Sequence, residues 1–334
     1  MHPTPSRTRD LLSSVDETVE KSVGIAVTDL TALFLLMSIR GFGPQKFKEL
    51  HTSGFRAADI VKGDARLPMT GKRGDSFRAE LETVVEKQGA ICEQRAQRQI
   101  AAAYKHNCVI LTYSHAAYPQ TVFESNYPVP IIYARGSLEV IRNHNAVACV
   151  GSRQIRSPYA ELHKAFVRTA CGHGFVIVSG FALGADTIGH RAALGTKGQT
   201  VCVMPNGLDR PFPPENKPLW GELLVYPGAA LVSELPFGTS ASSLTLRKRN
   251  KLIVAFARGV LISQSSVEGG AMNAYRFAVE QRKPVATFRG DDSSDTSGNG
   301  LIEQELRPAS MVFPSPNADS SAYESWLRLL SSSI

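Results

Sequence analysis

Residues 146–153 read Ala-Val-Ala-Cys-Val-Gly-Ser-Arg, five apolar positions that end on a glycine, a hydroxyl and a fixed cation. A run with no polar alternate keeps neither face in water, so it suits a strand of a parallel sheet buried on both sides. Similar runs recur at Phe175–Val178, Thr200–Met204, Ala230–Ser233, Val260–Ser263 and Pro284–Thr287. Helical segments lie between them at Tyr159–Cys171, Asp186–Leu194, Asn216–Tyr226, Leu246–Ala257 and Gly270–Gln281. Strand alternating with helix predicts an α/β fold with a doubly wound, mostly parallel sheet.

Upstream, Cys108–Tyr113 and Ile131–Ala134 read as two further strands, joined by a proline-rich connector from Tyr118 to Pro130. Before them the period is helical: Asp29 to Ile39, Gln45 to Thr52, and a long polar helix from Arg78 to Tyr104. Gly41 and Gly43 sit in the turn between the first two helices. Their amides are candidates for contact with a phosphate at the positive end of the second helix; the alternative is that they only permit a tight turn. The expected organisation is a mobile leader over 1–28, with a short helix over Ser14–Ser22, a small all-helical domain over 29–105, and the sheet domain over 106–310. A tail over 311–334 carries one short helix, Tyr323–Leu330. The acidic, Gly/Ser-rich stretch Gly290–Gly300 reads as a loop.

The chain has 334 residues, 43% hydrophobic and 20% charged, which is enough apolar mass for a substantial core. Its 37 basic and 30 acidic residues leave a net charge of +7, which points to an anionic partner. The longest apolar stretch, Leu30–Ile39, is too short to span a bilayer, and the polar N-terminus has no signal-like apolar core, so a cytoplasmic protein without a membrane partner is expected. Five scattered cysteines form no C-x-x-C pair, so neither a metal site nor a disulfide framework is expected.

In an open parallel sheet, ligands bind beyond the carboxyl ends of the strands. The loops there are Gly151-Ser152-Arg153, Ser179-Gly180 with Gly184-Ala185-Asp186, Asn206–Asp209, Glu234–Gly238 and Gln264–Gly270. Each carries glycine or small hydroxyl residues, which let a backbone approach an anion closely. No G-x-G-x-x-G follows Val150 and no Walker A sequence is present, so no nucleotide cofactor is expected. Arg153 offers a planar fork suited to phosphate. Between Ala241 and Gly290 stand nine basic residues against Glu268 and Glu280, and Arg247-Lys248-Arg249-Asn250-Lys251 opens a helix beside the ligand edge. A charge run is ordinarily a solvated face; this placement favours a polyphosphate. Asp186 and Asp209 read as loop caps and His190 as structural.

Taken in order, these blocks resemble the DNA-processing protein A (DprA/Smf) family. Val147–Arg153 is similar to its G-S-R strand and loop, and Val178–Asp186 with His190 to its S-G-L-A-x-G-I-D block. Gly207-Leu208-Asp209 with Phe212, Pro213 and Asn216 is similar to its G-L-D, Y-P and N block. Ser233-Glu234, Arg249–Ile253, and Gly298, Asn299, Leu301 and Ile302 continue the series, over about residues 107–305.

The resemblance implies a Rossmann-like sheet that binds single-stranded DNA, a homodimer, and help in loading a RecA-type recombinase during DNA uptake, transformation or recombination. It implies no catalytic residues. By matching position or placement, Gly151, Ser152, Arg153, Ser179, Gly180, Arg247, Lys248, Arg249, Asn250 and Lys251 would contact the strand, with Phe237 as a base-stacking platform. The chain departs from the family at Lys251, where an arginine is usual, at Phe181 and Leu246, and at Gln264-Ser265. No winged helix is expected after the last block. The rival reading is a nucleotide sensor or a nucleoside-monophosphate phosphoribohydrolase using Glu268 beside Gly269-Gly270.

Overall fold

The computed structural model describes residues 15–63, 71–315 and 320–332. The expected leader lies outside these residues up to position 14, as does Ser14, the first residue of its short helix. The chain divides into two compact units: one runs to Ala116 and includes Pro128–Tyr133, the other comprises Ala117–Tyr127 and everything from Ala134.

The first unit is helical through Lys105: α1 (Glu17–Val23), α2 (Val27–Ser38), α3 (Pro44–Thr52), α4 (Ala57–Lys62) and α5 (Lys72–Lys105), followed by strand β1 (Cys108–Leu111). Ordered helix therefore starts well before position 29. Asp16 caps α1 by accepting from the Val19 amide at 3.0 Å. Glu20 reaches from α1 to the Val27 amide at 2.7 Å and so covers the open start of α2. Gly41 takes φ +74° in the α2–α3 turn, a region costly to other residues, and Gly43 is the N-cap of α3. The turn also buries Phe42 against Phe47 and Phe77, which gives it a packing role.

The second unit continues with α6 (Gln120–Glu124), β2 (Ile132–Gly136, entered from the first unit), α7 (Leu138–Arg142), β3 (Ala146–Val150), α8 (Tyr159–Gly172) and β4 (Val176–Ser179). Then come α9 (Ala185–Gly195), β5 (Thr200–Val203), α10 (Lys217–Val225), β6 (Ala229–Ser233) and α11 (Ser243–Phe256). It closes with β7 (Gly259–Ile262), α12 (Ala271–Glu280), β8 (Val285–Phe288), α13 (Ser297–Gln304), β9 (Met311–Phe313) and α14 (Ser320–Ser332). Seven strands run in the order β6-β5-β4-β3-β7-β8-β9, and every pairing among them is parallel. The order reverses at β3, which pairs with both β4 and β7. This doubly wound sheet is the one expected, and all residues of β3 through β8 are buried.

Two expectations need correction. The end of the expected loop, Ser297–Gly300, opens the helix Ser297–Gln304, because Asn299 and Gly298 are pulled inward: Asn299 is fully buried and bonds three groups of the sheet edge. The last residues are also more than a tail. Met311–Phe313 adds β9 beside β8, and α14 buries Tyr323, Trp326, Leu327 and Leu330 against Phe166, Phe288 and Phe313. Trp326 spends its indole N–H on the Ala309 carbonyl at 3.0 Å, so its burial leaves no polar debt. Among the described residues no single helix is long and apolar enough to cross a membrane.

Candidate nucleic-acid interface

The strand-order reversal opens a cleft of about 570 Å³ at the carboxyl ends of β3, β4 and β7. Its walls are Val150–Gln154, Ala182 and Asp186, the first two turns of α11 (Ser243, Leu246, Arg247, Arg249, Asn250), and the loop into α12 (Ser265, Ser266, Gly269–Ala271, Asn273). Among the described residues three arginines line it, and Asp186 is the sole carboxylate.

The walls are built by backbone locking. The Ser152 amide donates to Gln264 O at 2.8 Å, and its carbonyl accepts from Ala185 N at 3.1 Å. Gln264 Oε1 accepts from the Arg156 amide at 2.9 Å, which ties the G-S-R loop to the loop after β7. Two glycines allow close approach, one to backbone and one to a side chain. A Cβ at Gly184, which has φ +75°, would lie 2.4 Å from the carbonyls of Ser152 and Arg153. A Cβ at Gly180 would lie 1.8 Å from Arg249 Nη1. Asn299 accepts from the Ser265 amide at 3.0 Å and holds the far side. Ser242 caps α11 in a reciprocal pair with Thr245, which aims the start of α11 at the cleft.

The predicted residues separate into three groups. Gly151, Ser152, Arg153, Arg247, Arg249 and Asn250 are brought together in the cleft. Arg153 and Arg247 are exposed. Ser179 and Gly180 lie beneath the cleft floor: Ser179 is fully buried and its hydroxyl donates to Cys149 O at 2.6 Å. Lys248, Lys251 and Phe237 are absent from the cleft lining. Lys251 Nζ instead sits 5.5 Å from the Tyr127 ring centre and 5.0 Å from that of Phe277. Gly41 and Gly43 belong to the first unit. Sequence reasoning did not single out Gln154, Ala182, Ser243, Ser265, Ser266, Ala271 or Asn273 as contacts. Only the glycine and hydroxyl content of the loop after β7 signalled it.

Arg249 is the hinge between floor and wall. It is 6% exposed, donates from Nη1 to Val203 O at 2.7 Å and faces Asp186 at 4.0 Å through Nη2, while Nε is buried without a partner. Burial pushes its guanidinium down from its ordinary value, opposed by the Asp186 charge. Asp186 also accepts from the Ala182 amide at 3.2 Å, so it caps a loop as expected. Asp209 does the same for the Gly238 amide at 3.0 Å. His190 is fully buried between Thr200 Oγ1 (2.8 Å) and Gly180 O (2.5 Å) and holds the floor in place. Its neighbour in the core, His163, pairs through Nδ1 with Ser263 Oγ and leaves Nε2 unpartnered; burial pushes it down to about 4.

Glu268, the acid of the rival reading, lies outside this cleft, as does Glu234 at the same edge of the sheet. Glu268 is exposed and Glu234 accepts from the Tyr127 hydroxyl at 2.9 Å; neither lines the cleft. Burial raises the Glu234 carboxyl, opposed by the Tyr127 hydrogen bond and by Lys248 and Lys251.

The profile of the family described as DNA recombination-mediator protein A matches residues 109–313. The chain belongs to that family. Among relatives, it is 32% identical over 173 residues to protein Smf of Escherichia coli (52% of this chain, 45% of the relative). It is 26% identical over 193 residues to the DNA processing protein DprA of Bacillus subtilis (58% and 64%). The matched stretch thus spans about half the length of these relatives. In fold, the chain is similar to DprA of Streptococcus pneumoniae, with TM-score 0.64, 20% identity and coverage of 97% of this chain and 98% of that one. It is also similar to DprA of Helicobacter pylori, described for its single-stranded DNA binding mode, with TM-score 0.55, 22% identity and coverage of 67% and 95%.

Proposed function

We propose that this chain binds single-stranded DNA in the cleft at the sheet's switch point. One observation carries the reading: Arg153, Arg247 and Arg249 converge there against the single carboxylate of Asp186, which Arg249 already faces. Exposed guanidinium forks at Arg153 and Arg247 match phosphate oxygens, and Arg249 adds positive potential from a wall where water does not screen it. The start of α11 contributes its dipole in the same direction. Family membership supports the reading, and so does the single-stranded DNA binding mode of the Helicobacter pylori relative.

In this proposal the protein covers exposed single strands and hands them to a RecA-type recombinase, acting as a homodimer and without catalysis. A titration of single-stranded against double-stranded DNA at two salt concentrations tests it. Single strands bind more tightly, and log affinity falls with log salt by about 0.7 for each phosphate contact. Equal affinity for both forms, or affinity indifferent to salt, overturns the reading. The same samples report on the rival enzyme: release of free base from a nucleoside monophosphate, abolished by Glu268→Gln, would establish hydrolysis instead.

A further inference from the structure

On the opposite rim of the sheet, at the amino ends of β3, β7 and β8, lies a second cavity of about 670 Å³. Its basic residues come from separate turns: His144 before β3, Arg258 between α11 and β7, and Arg282 and Lys283 between α12 and β8. Glu124, at the end of α6, is the one carboxylate among the described residues that line it, and its Oε1 already accepts from the Gln120 amide at 2.7 Å.

Basic side chains often gather at helix ends to serve the carbonyls left open there, and three helices end beside this cavity. Those carbonyls are already served. Arg258 donates from Nη1 to Leu330 O and Ser331 O at 3.0 Å, at the end of α14, and from Nε to His144 O at 3.1 Å. Thr121 Oγ1 donates to Phe256 O at 3.1 Å, at the end of α11. The amides of Gln281, Arg282 and Lys283 turn back on the carbonyls of Phe277, Val279 and Ala278 and close α12. What remains is unspent charge. Among the described residues, neither the Lys283 ammonium nor the Arg282 guanidinium has a hydrogen-bond or ion-pair partner. Lys283 is half-buried, and burial pushes its ammonium down from its ordinary value, opposed by Glu124 and reinforced by Arg258. Arg282 holds φ +54° just past the end of α12, where glycine is the usual residue, so this cation stands there at a conformational cost.

We propose that this cavity binds a phosphate monoester of nucleotide size, with Lys283 and Arg282 on its oxygens. A monoester carries a charge of about −1.5 to −2 at neutral pH, which matches the two unspent cations. The volume falls within the roughly 300–1,000 Å³ of small-molecule sites, and Pro284 and Leu330 give the organic part an apolar wall. No residue lines both this cavity and the cleft, so the two are separate sites. The monoester has two sources of the same chemistry, a free mononucleotide and the phosphorylated end of a strand.

Calorimetric titration of the full chain with deoxyadenosine 5′-monophosphate, deoxyadenosine and inorganic phosphate tests the site. The monophosphate binds, the nucleoside does not, and inorganic phosphate competes. Lys283→Met, which keeps the length of the side chain, weakens the monophosphate by about tenfold or more. Arg282→Gly removes a cation and relieves the left-handed backbone, so it folds at least as well as the parent and still binds several-fold more weakly. The Arg153→Ala/Arg247→Ala double variant, with its cleft disabled, binds the monophosphate unchanged. In that double variant, a 5′-phosphorylated oligodeoxyadenosine held more tightly than its 5′-hydroxyl form identifies the strand end as the source, and equal retention identifies the free nucleotide; either result keeps the site. Absent binding, equal binding of nucleoside and monophosphate, or affinity indifferent to both Lys283→Met and Arg282→Gly overturns it. Affinity lost with Arg153 and Arg247 also overturns it and assigns the phosphate to the cleft.

Discussion

The carboxyl-end rim of the sheet has two halves that treat polar groups in opposite ways. On the β4–β5 side, Ser179, Gly180, His190 and Thr200 are sealed, and their hydrogen bonds are spent on one another and on backbone carbonyls. On the β3–β7 side, Arg153, Arg247 and the loop before α12 open to water. Arg249 stands at the seam, with its head group clamped over Gly180. In the proposed reading the sealed half is a foundation and the open half is the surface offered to an anion. A motif residue can therefore serve a ligand without touching it.

The contrast predicts where substitutions act. The largest effect belongs to Gly180→Ala. The added methyl occupies the space of the Arg249 guanidinium, which must give up its bond to Val203 O and its place beside Asp186 to move aside. Denaturant unfolding should show a loss of about 3 kcal/mol or more. A variant as stable as the parent would mean that the floor is not rigid.

Next is an acid dependence set in the same buried half. His163 titrates at about 4 when folded and near 6.5 when unfolded, so the unfolded chain binds more protons between those values. Stability should be level above about pH 6.5 and fall as pH drops toward 4, by up to about 3 kcal/mol. His190 is lowered by burial too and adds in the same direction. Denaturation midpoints across this range check it, and His163→Gln should flatten the slope.

The smallest stability change and the clearest binding change are expected in the open half. Arg153→Ala and Arg247→Ala should leave the unfolding midpoint within error and weaken single-strand affinity several-fold. Each should reduce the salt slope by about 0.7. Lys251→Ala, which removes a cation resting on Tyr127 and Phe277, should leave that slope unchanged. A slope that responds to Lys251 but not to Arg247 would move the binding surface to the other face of α11.

Much of the fold was legible because its signals are local. Apolar runs such as Ala146–Val150 announce doubly buried strands, and the observed ends differ by a residue or so from those read. The misread segments are those whose state depends on distant partners. Ser297–Gly300 looks like loop by composition, yet Asn299 is drawn into the sheet edge by Ser263, Thr287 and Phe288. Met311–Phe313 is too short to signal a strand until β8 pairs with it. At the site, the G-S-R loop and the basic run were readable as motifs. The amides of Ser179-Gly180 read as phosphate contacts, while the part of the Ser179 hydroxyl, a bond to Cys149 O, had no local signal.

By itself, the order of residues determined the alternation of strand and helix, the positive balance, and which loops share the carboxyl end, because these depend on neighbours a few positions apart. Only the tertiary structure decided which cations reach the cleft. Arg247, Arg249 and Lys251 lie within two helical turns, yet one faces water, one is buried over Gly180 and one rests on two rings. Helical phase relative to the packed sheet sets that outcome, and no local pattern in a charged run encodes it.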